Sequence, residues 1–205
     1  MIKRTSQFLL VLGMQNKQRK IFQLTGLSGA GKTTLASGVK ERLGEQGYKI
    51  EVLDGDEIRK TLSADLGFTR SDRLEHLRRL AGIANTIEAD VILIAVINPY
   101  AESRSFFRES CNAGLIWNRC NLAVLRQRDT KGLYQKAFLP EDHPAKLRNL
   151  TGVNDVFEEP SDADLIIDTD KTGIEESVRQ ICNYIGSEYG RATENAVSSD
   201  HGLKT

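Results

Sequence analysis

The chain has 205 residues, which bounds it to one domain or at most two. Hydrophobic residues at 40% and charged residues at 27% exclude a disordered chain. Lys plus Arg is 28 and Asp plus Glu is 28, so the formal charge is zero, which excludes a bulk nucleic-acid binder with a basic surplus. Any site for a polyanion must be built locally.

Residues 1–19 read as an N-terminal arm or leader. The run Phe8-Leu9-Leu10-Val11-Leu12 is too short for a good signal core and lacks a small-residue cleavage site. Ile21 to Thr25 reads as a buried strand that enters a glycine-rich turn. Leu35, Val39 and Leu43 then recur at four-residue spacing, the mark of one helix face ending near Gly44 or Gly47. Tyr48 to Leu53 is a second strand. Leu74, Leu77, Leu80, Ile83, Ala84 and Ile87 form the stripe of another helix. Val91 to Ile97 is continuously apolar, as a central parallel strand covered on both faces should be. Leu115-Ile116-Trp117 and Leu165-Ile166-Ile167 supply the fourth and fifth strands, and Ile174 to Ile185 a last helix. Strands alternating with helices predict an α/β fold with a doubly wound, mostly parallel, five-stranded sheet in one domain over 20–187. The polar, aperiodic stretch 188–205 is expected to be a disordered tail.

Cys111, Cys120 and Cys182 form no C-x-x-C pair and no zinc spacing, which suits a reducing cytoplasm. No apolar run approaches the roughly 18 residues of a membrane span, so no membrane partner is expected.

The first turn carries the sharpest chemistry. Gly26-Leu27-Ser28-Gly29-Ala30-Gly31-Lys32-Thr33, followed by Thr34, matches G-x-x-x-x-G-K-[ST] between a strand and a helix. Glycines let backbone N–H groups wrap phosphates, and the helix N-terminus adds partial positive charge. Lys32 would reach the β- and γ-phosphates, and Thr33 could ligate Mg²⁺. No N-K-x-D guanine clamp follows the loop, and the apolar third strand ends Ile97-Asn98-Pro99 without an acid. The carboxylates instead follow the second strand, as Asp54-Gly55-Asp56. One can serve the metal and the other can orient an acceptor hydroxyl, the layout of a small-molecule kinase.

Arginines cluster after these acids. Arg59 and Arg73 are candidates for gripping an anionic acceptor, because guanidinium binds phosphate-like groups bidentately. His76 shares a helix face with Arg73. Arg78 or Arg79 reads as an ordinary solvated helix residue. Phe68, among the arginines, could stack on a base or simply pack in the core. Residues 128–151, with Arg128, Lys131, Lys136, Lys146 and Arg148, read as a mobile lid.

With these residues in view the chain resembles the adenylylsulfate (APS) kinases. The resemblance rests on Leu53-Asp54-Gly55-Asp56 with Arg59, Leu66-Gly67-Phe68-Thr69 with Asp72-Arg73, and Pro99-Tyr100. It continues through Arg128-Asp129, Lys131-Gly132-Leu133-Tyr134 and Thr151-Gly152, and spans roughly residues 20 to 187. It implies ATP and Mg²⁺, transfer of a phosphoryl group to the 3′-hydroxyl of adenosine 5′-phosphosulfate, and a homodimer. An ATP sulfurylase partner is left open. By that resemblance Asp56 is the base, Asp54 serves the metal, Arg59 and Arg73 hold the phosphosulfate, Phe68 stacks on the acceptor adenine, and Arg128 lies near the ATP adenine. Ile97, Lys131, Gly132 and Leu133 join the acceptor site.

The chain also departs from the family pattern. His76 replaces an asparagine that contacts substrate, Asn98 replaces a serine, and Leu150 replaces a phenylalanine that stacks on the acceptor base. Asn98 has no hydroxyl to carry phosphate. It is expected either to contact the acceptor or to cap the strand before Pro99. The segment Ala137 to Thr151 is longer than usual. These changes touch the acceptor pocket, so a paralogous kinase for another anionic nucleotide remains an alternative. A non-catalytic nucleotide-binding subunit is a further one, against which Lys32, Thr33, Asp54 and Asp56 speak.

Overall fold

The computed structural model describes the backbone of residues 20–199 and the side chains of residues 20–188. Five parallel strands form one sheet in the order β2-β3-β1-β4-β5: β1 Lys20–Thr25, β2 Ile50–Asp54, β3 Val91–Ala95, β4 Gly114–Arg119 and β5 Leu165–Asp168. The expected doubly wound parallel sheet is therefore present. β1 and β3 lie inside it with side chains buried on both faces, which is why their sequences are continuous apolar runs.

Helices cover both faces. On one side α1 (Lys32–Glu45) packs with α7 (Ile174–Ser199), joining Leu35, Val39 and Leu43 to Val178, Ile181 and Ile185. Gly38 lets these helices approach closely, since a Cβ there would meet a Val178 methyl at 2.7 Å. On the other side α3 (Arg70–Thr86) and α4 (Ala101–Cys111) bury Leu77, Leu80, Ala84 and Phe107. α3 starts at a capping box, in which Thr69 Oγ1 accepts from the Asp72 N–H and the Asp72 carboxylate accepts from the Thr69 N–H. Such a cap stabilises a helix start by about 0.5–2 kcal/mol.

A third apolar cluster holds the lid segment against the glycine-rich loop: Ala30 and Leu27 meet Leu125, Tyr134, Leu147 and Leu150. It is built by the short helices α5 (Leu122–Arg128) and α6 (Leu133–Ala137) and the return through residue 151. Tyr134 Oη donates to the Ser28 carbonyl at 2.8 Å. Burial pushes the Tyr134 phenol up to about 12, so it remains a donor.

Two expectations need correction. The last helix does not end near Ile185 but runs to Ser199. Residues 200–205 and the arm 1–19 lie outside the described residues. The third strand ends at Ala95, so Val96 and Ile97 leave the ladder. The Val96 N–H bonds back to Leu24, and the following residues turn across the sheet edge. Asp54-Gly55-Asp56 opens a short helix, α2 (Gly55–Lys60), with Asp54 as its N-cap.

Candidate active site

The carboxyl ends of β1, β2 and β3 converge where ligands bind in open α/β sheets. The glycine-rich loop follows β1. Gly26 has φ 149°, and a Cβ there would collide with the Asn118 carbonyl, so only glycine fits. Gly31 at φ 82° is the residue before the first turn of α1. Ser28, Gly29, Gly31, Lys32, Thr33 and Thr34 line a cleft of about 190 Å³ over that turn. The Lys32 ammonium donates to the Gly26 and Leu27 carbonyls, both at 2.9 Å. Burial lowers its pKa to about 8, with the Asp56 and Asp54 charges opposing the fall and Lys131 adding to it.

Asp54 joins the loop to α2. Its Oδ1 accepts the N–H groups of Asp56 at 2.8 Å and Glu57 at 3.4 Å, which caps α2. Its Oδ2 accepts from Thr33 Oγ1 at 2.6 Å. This pair of hard oxygens beside a phosphate-binding loop fits a magnesium ion.

Asp56 projects from the first turn of α2 and pairs with Lys131 of the lid. Burial would raise its carboxyl pKa, but the Lys131 hydrogen bond and the charges of Lys131, Lys32 and Arg59 outweigh that and lower it. Asp56 and Lys131 line the phosphate cleft and also a second, more apolar one of about 400 Å³. Arg59, Phe68, Arg73, His76, Leu133 and Leu150 are in the wall of that second cleft. Ser28 and Ile97 line both clefts. The two spaces thus share a boundary at Asp56.

Most residues expected at the site are brought together here, and four deserve separate description. Phe68 is 53% exposed, and the guanidiniums of Arg59 and Arg73 lie 5.0 and 5.6 Å from its ring centroid. His76 is buried, with Nδ1 at 3.0 Å from Ser63 Oγ. Burial, followed by the Arg59 charge, lowers its pKa to about 4, so it adds no positive charge to the cleft. Arg128 lines neither cleft and instead donates to the Thr169 carbonyl at 2.8 Å, beyond the end of β5. Gly132, at φ 63°, caps α6 between Lys131 and Leu133 without entering the cleft wall itself.

Of the two roles expected for Asn98, acceptor contact or strand cap, its surroundings match the cap. Asn98 is fully buried, its Nδ2 donates to Gln23 Oε1 at 2.8 Å, and its Oδ1 accepts from Ser103 Oγ. Arg104 and Thr25 take its backbone carbonyl. Asn98 therefore caps the strand end and holds the turn that presents Ile97. Arg79, paired with Asp65 and Glu75, and Arg78, on the exposed side of α3 near Glu75, stay outside the cleft.

Sequence reasoning missed Leu77, Leu147, Asn149 and Thr151 in the wall of the larger cleft and Thr130 in the phosphate-loop cleft. Leu77 reads as one more residue of a core stripe. The others sit in a segment without a period, where only a backbone route could show which side chains return to the cleft.

Comparison with known proteins agrees with this geometry. A family model described as adenylylsulphate kinase matches residues 18–168. The chain is similar to an adenylyl-sulfate kinase of Bacillus pumilus, 37% identical over 175 residues, covering 83% of this chain and 86% of that one. It is also similar to an adenylyl-sulfate kinase of Halothermothrix orenii, 39% identical over 175 residues, covering 84% and 92%. Among solved structures, the Mycobacterium tuberculosis APS kinase in complex with AMPPNP and APS superposes with a TM-score of 0.75 at 34% identity, covering 82% of this chain and 98% of that one. With the family model matched over residues 18–168 and those two relatives covered to 86% and 92% of their own length, the chain belongs to the adenylylsulphate kinase family.

Proposed function

We propose that this chain transfers the γ-phosphoryl group of ATP to the ribose 3′-hydroxyl of adenosine 5′-phosphosulfate, giving 3′-phosphoadenosine 5′-phosphosulfate (PAPS) and ADP. The observation that carries the reading is the shared boundary of the two clefts at Asp56, together with family membership. ATP phosphates lie on the Gly26–Thr33 loop, with Lys32 against the β- and γ-oxygens. Thr33 and Asp54 would hold a magnesium ion, which would neutralise phosphate charge when bound. The acceptor occupies the larger cleft, its anionic group toward Arg59 and Arg73 and its base against Phe68 and the aliphatic side chains of Leu147 and Leu150.

Asp56 accepts a hydrogen bond from the 3′-hydroxyl and takes its proton as the oxygen attacks phosphorus. The new P–O bond forms as the bond to the ADP oxygen breaks. Because the Asp56 carboxyl is held below the usual range, its first duty is orientation; the loose transition state of phosphoryl transfer asks for little early deprotonation. Lys131, freed from Asp56 as the hydroxyl arrives, can follow the transferring charge. Asn98 offers no hydroxyl and is buried, which favours direct transfer without a phosphoenzyme.

The lid over 128–151 closes on both ligands, and the protein acts in the cytoplasm as a homodimer. Among the described residues, no helix is long and apolar enough to cross a membrane. The test is ADP release measured across a panel of nucleotide acceptors. APS should give the highest kcat/KM, and a preference for another nucleotide would overturn the acceptor.

A further inference from the structure

Arg73 on α3 ties three segments together at the rim of the acceptor cleft. Its Nε donates to the Phe68 carbonyl at 3.2 Å and its Nη2 to the Asn149 carbonyl at 2.8 Å. The same Nη2 lies 2.9 Å from Asp155 Oδ2 in an ion pair whose side chains are only 11% and 25% exposed. Asp155 is itself fixed. Its Oδ1 accepts the Val156 N–H at 2.9 Å, its N–H donates to Leu150 O at 3.2 Å, and its carbonyl accepts from Gly152 at 2.8 Å.

Arg73 lines the acceptor cleft and Asp155 does not; the carboxylate stands behind the guanidinium. Among the described residues no protein group accepts from Arg73 Nη1. A second guanidinium, Arg59, is near enough that the Arg73 charge, after burial, lowers its pKa. Two converging cations repel, and a shielded fixed carboxylate on one of them offsets that repulsion.

We propose that Asp155 is a positioning residue for the acceptor's anionic group, holding Arg73 by its Nη2 edge so that the Nη1 hydrogens face the cleft. The inference rests on the acceptor site described above. The opposite arrangement, in which Asp155 competes with the acceptor for Arg73, predicts the opposite sign. Two of these bonds fix the Asp155 backbone and the third fixes its Oδ1, which leaves Oδ2 set against Arg73 and speaks for positioning. A second-layer partner of this kind acts by restricting the rotamer of the contacting group.

The test is steady-state kinetics with ATP and APS for the wild type, Asp155→Asn, Arg73→Ala and the double variant, with thermal unfolding of each. Asparagine keeps the shape and the bond to Val156 while removing the charge. Asp155→Asn should raise the KM for APS about tenfold and change that for ATP by less than about twofold. In the Arg73→Ala background the same change should add less than about twofold, since the partner is gone. If Asp155→Asn fails to fold, Asp155→Glu, with the charge kept but displaced, should raise the KM for APS about threefold. A lower or unchanged KM for APS would overturn the proposal, as would a rise that persists undiminished in the Arg73→Ala background. If Arg73→Ala leaves the KM for APS unaltered, the placement of Arg73 in the acceptor site fails, and this inference with it. Loss confined to Asp155→Asn's predicted effect, with Arg73→Ala behaving as expected, would sink the inference alone.

Discussion

Lys131, from the lid, pairs with Asp56, from the helix after β2, at the boundary between the phosphate cleft and the acceptor cleft. The pair brings together two segments 75 residues apart in the chain and occupies the carboxylate that the acceptor hydroxyl would use. Asp56→Asn should therefore lower kcat by about 10²-fold, the low end for a positioned base, while ATP affinity changes little. Binding of an ATP analogue, followed by calorimetry, checks the second half. A collapse of ATP affinity would move Asp56 to the metal.

Lys32 should be indispensable for turnover but not for folding. Lys32→Ala removes one preorganised charge from the transferring group, which costs about 10²–10³ in rate. Its lowered pKa also has a linkage consequence. The unfolded chain holds the Lys32 proton up to its ordinary value of 10.5, whereas the folded one releases it from about 8. Stability from this group therefore rises with pH across that window. Lys32→Met should flatten the rise relative to wild type in denaturant titrations of the ligand-free protein at pH 7.5 and 9.5. An unchanged difference would show that the ammonium is better solvated than the geometry indicates.

His76 gives the corresponding signal in acid. Its folded pKa of about 4 lies below the ordinary 6.5, so between these values the unfolded chain binds the extra proton. The contribution is complete above pH 6.5 and is lost as pH falls toward 4, by about 3 kcal/mol in all. His76→Asn, which can still bond Ser63, should remove most of that loss. Unfolding midpoints at pH 7, 5.5 and 4.5 decide it, and parallel curves for the two proteins would contradict the assignment.

The acceptor base should be held by one aromatic and several aliphatic side chains. Phe68 is exposed at the cleft, and Leu147 and Leu150 supply apolar contact without a ring. An added aromatic partner is worth about 0.5–1.5 kcal/mol beyond its area, so Leu150→Phe should lower the KM for APS several-fold. Phe138 does not take that place, because it lies under the Arg126 guanidinium at 3.9 Å. Phe138→Ala should accordingly leave the KM for APS unchanged; a marked rise would place Phe138 in the acceptor site.

The sheet and its order of elements were legible because buried parallel strands are continuous apolar runs and the long helices carry a clear stripe. α4 was missed because Ser103 and Arg104 are buried on it beside Phe107, which breaks the apolar period. α5 and α6 are too short to show one at 7 and 5 residues. The phosphate loop and both acids were readable because their chemistry is local in sequence. Asn98 shows the limit. Its place after a central strand suggested a ligand contact, but the neighbouring polar side chains Gln23 and Ser103, one on β1 and one on α4, take both ends of its amide. Gln23 lies 75 positions from Asn98, and no spacing announces that bond. The Arg73–Asp155 pair was hidden for the same reason, across 82 positions of sequence by their numbering.

The central claim is transfer of phosphate from ATP to the 3′-oxygen of APS across the Asp56 boundary. The most direct measurement is incubation of the protein with γ-labelled ATP, magnesium and APS, with the labelled product isolated and treated with a 3′-specific nucleotidase. The account predicts label in PAPS, released as inorganic phosphate by that enzyme, with no label retained on the denatured protein. Label on a different acceptor position, or stoichiometric label on the protein that chases into product, would contradict it.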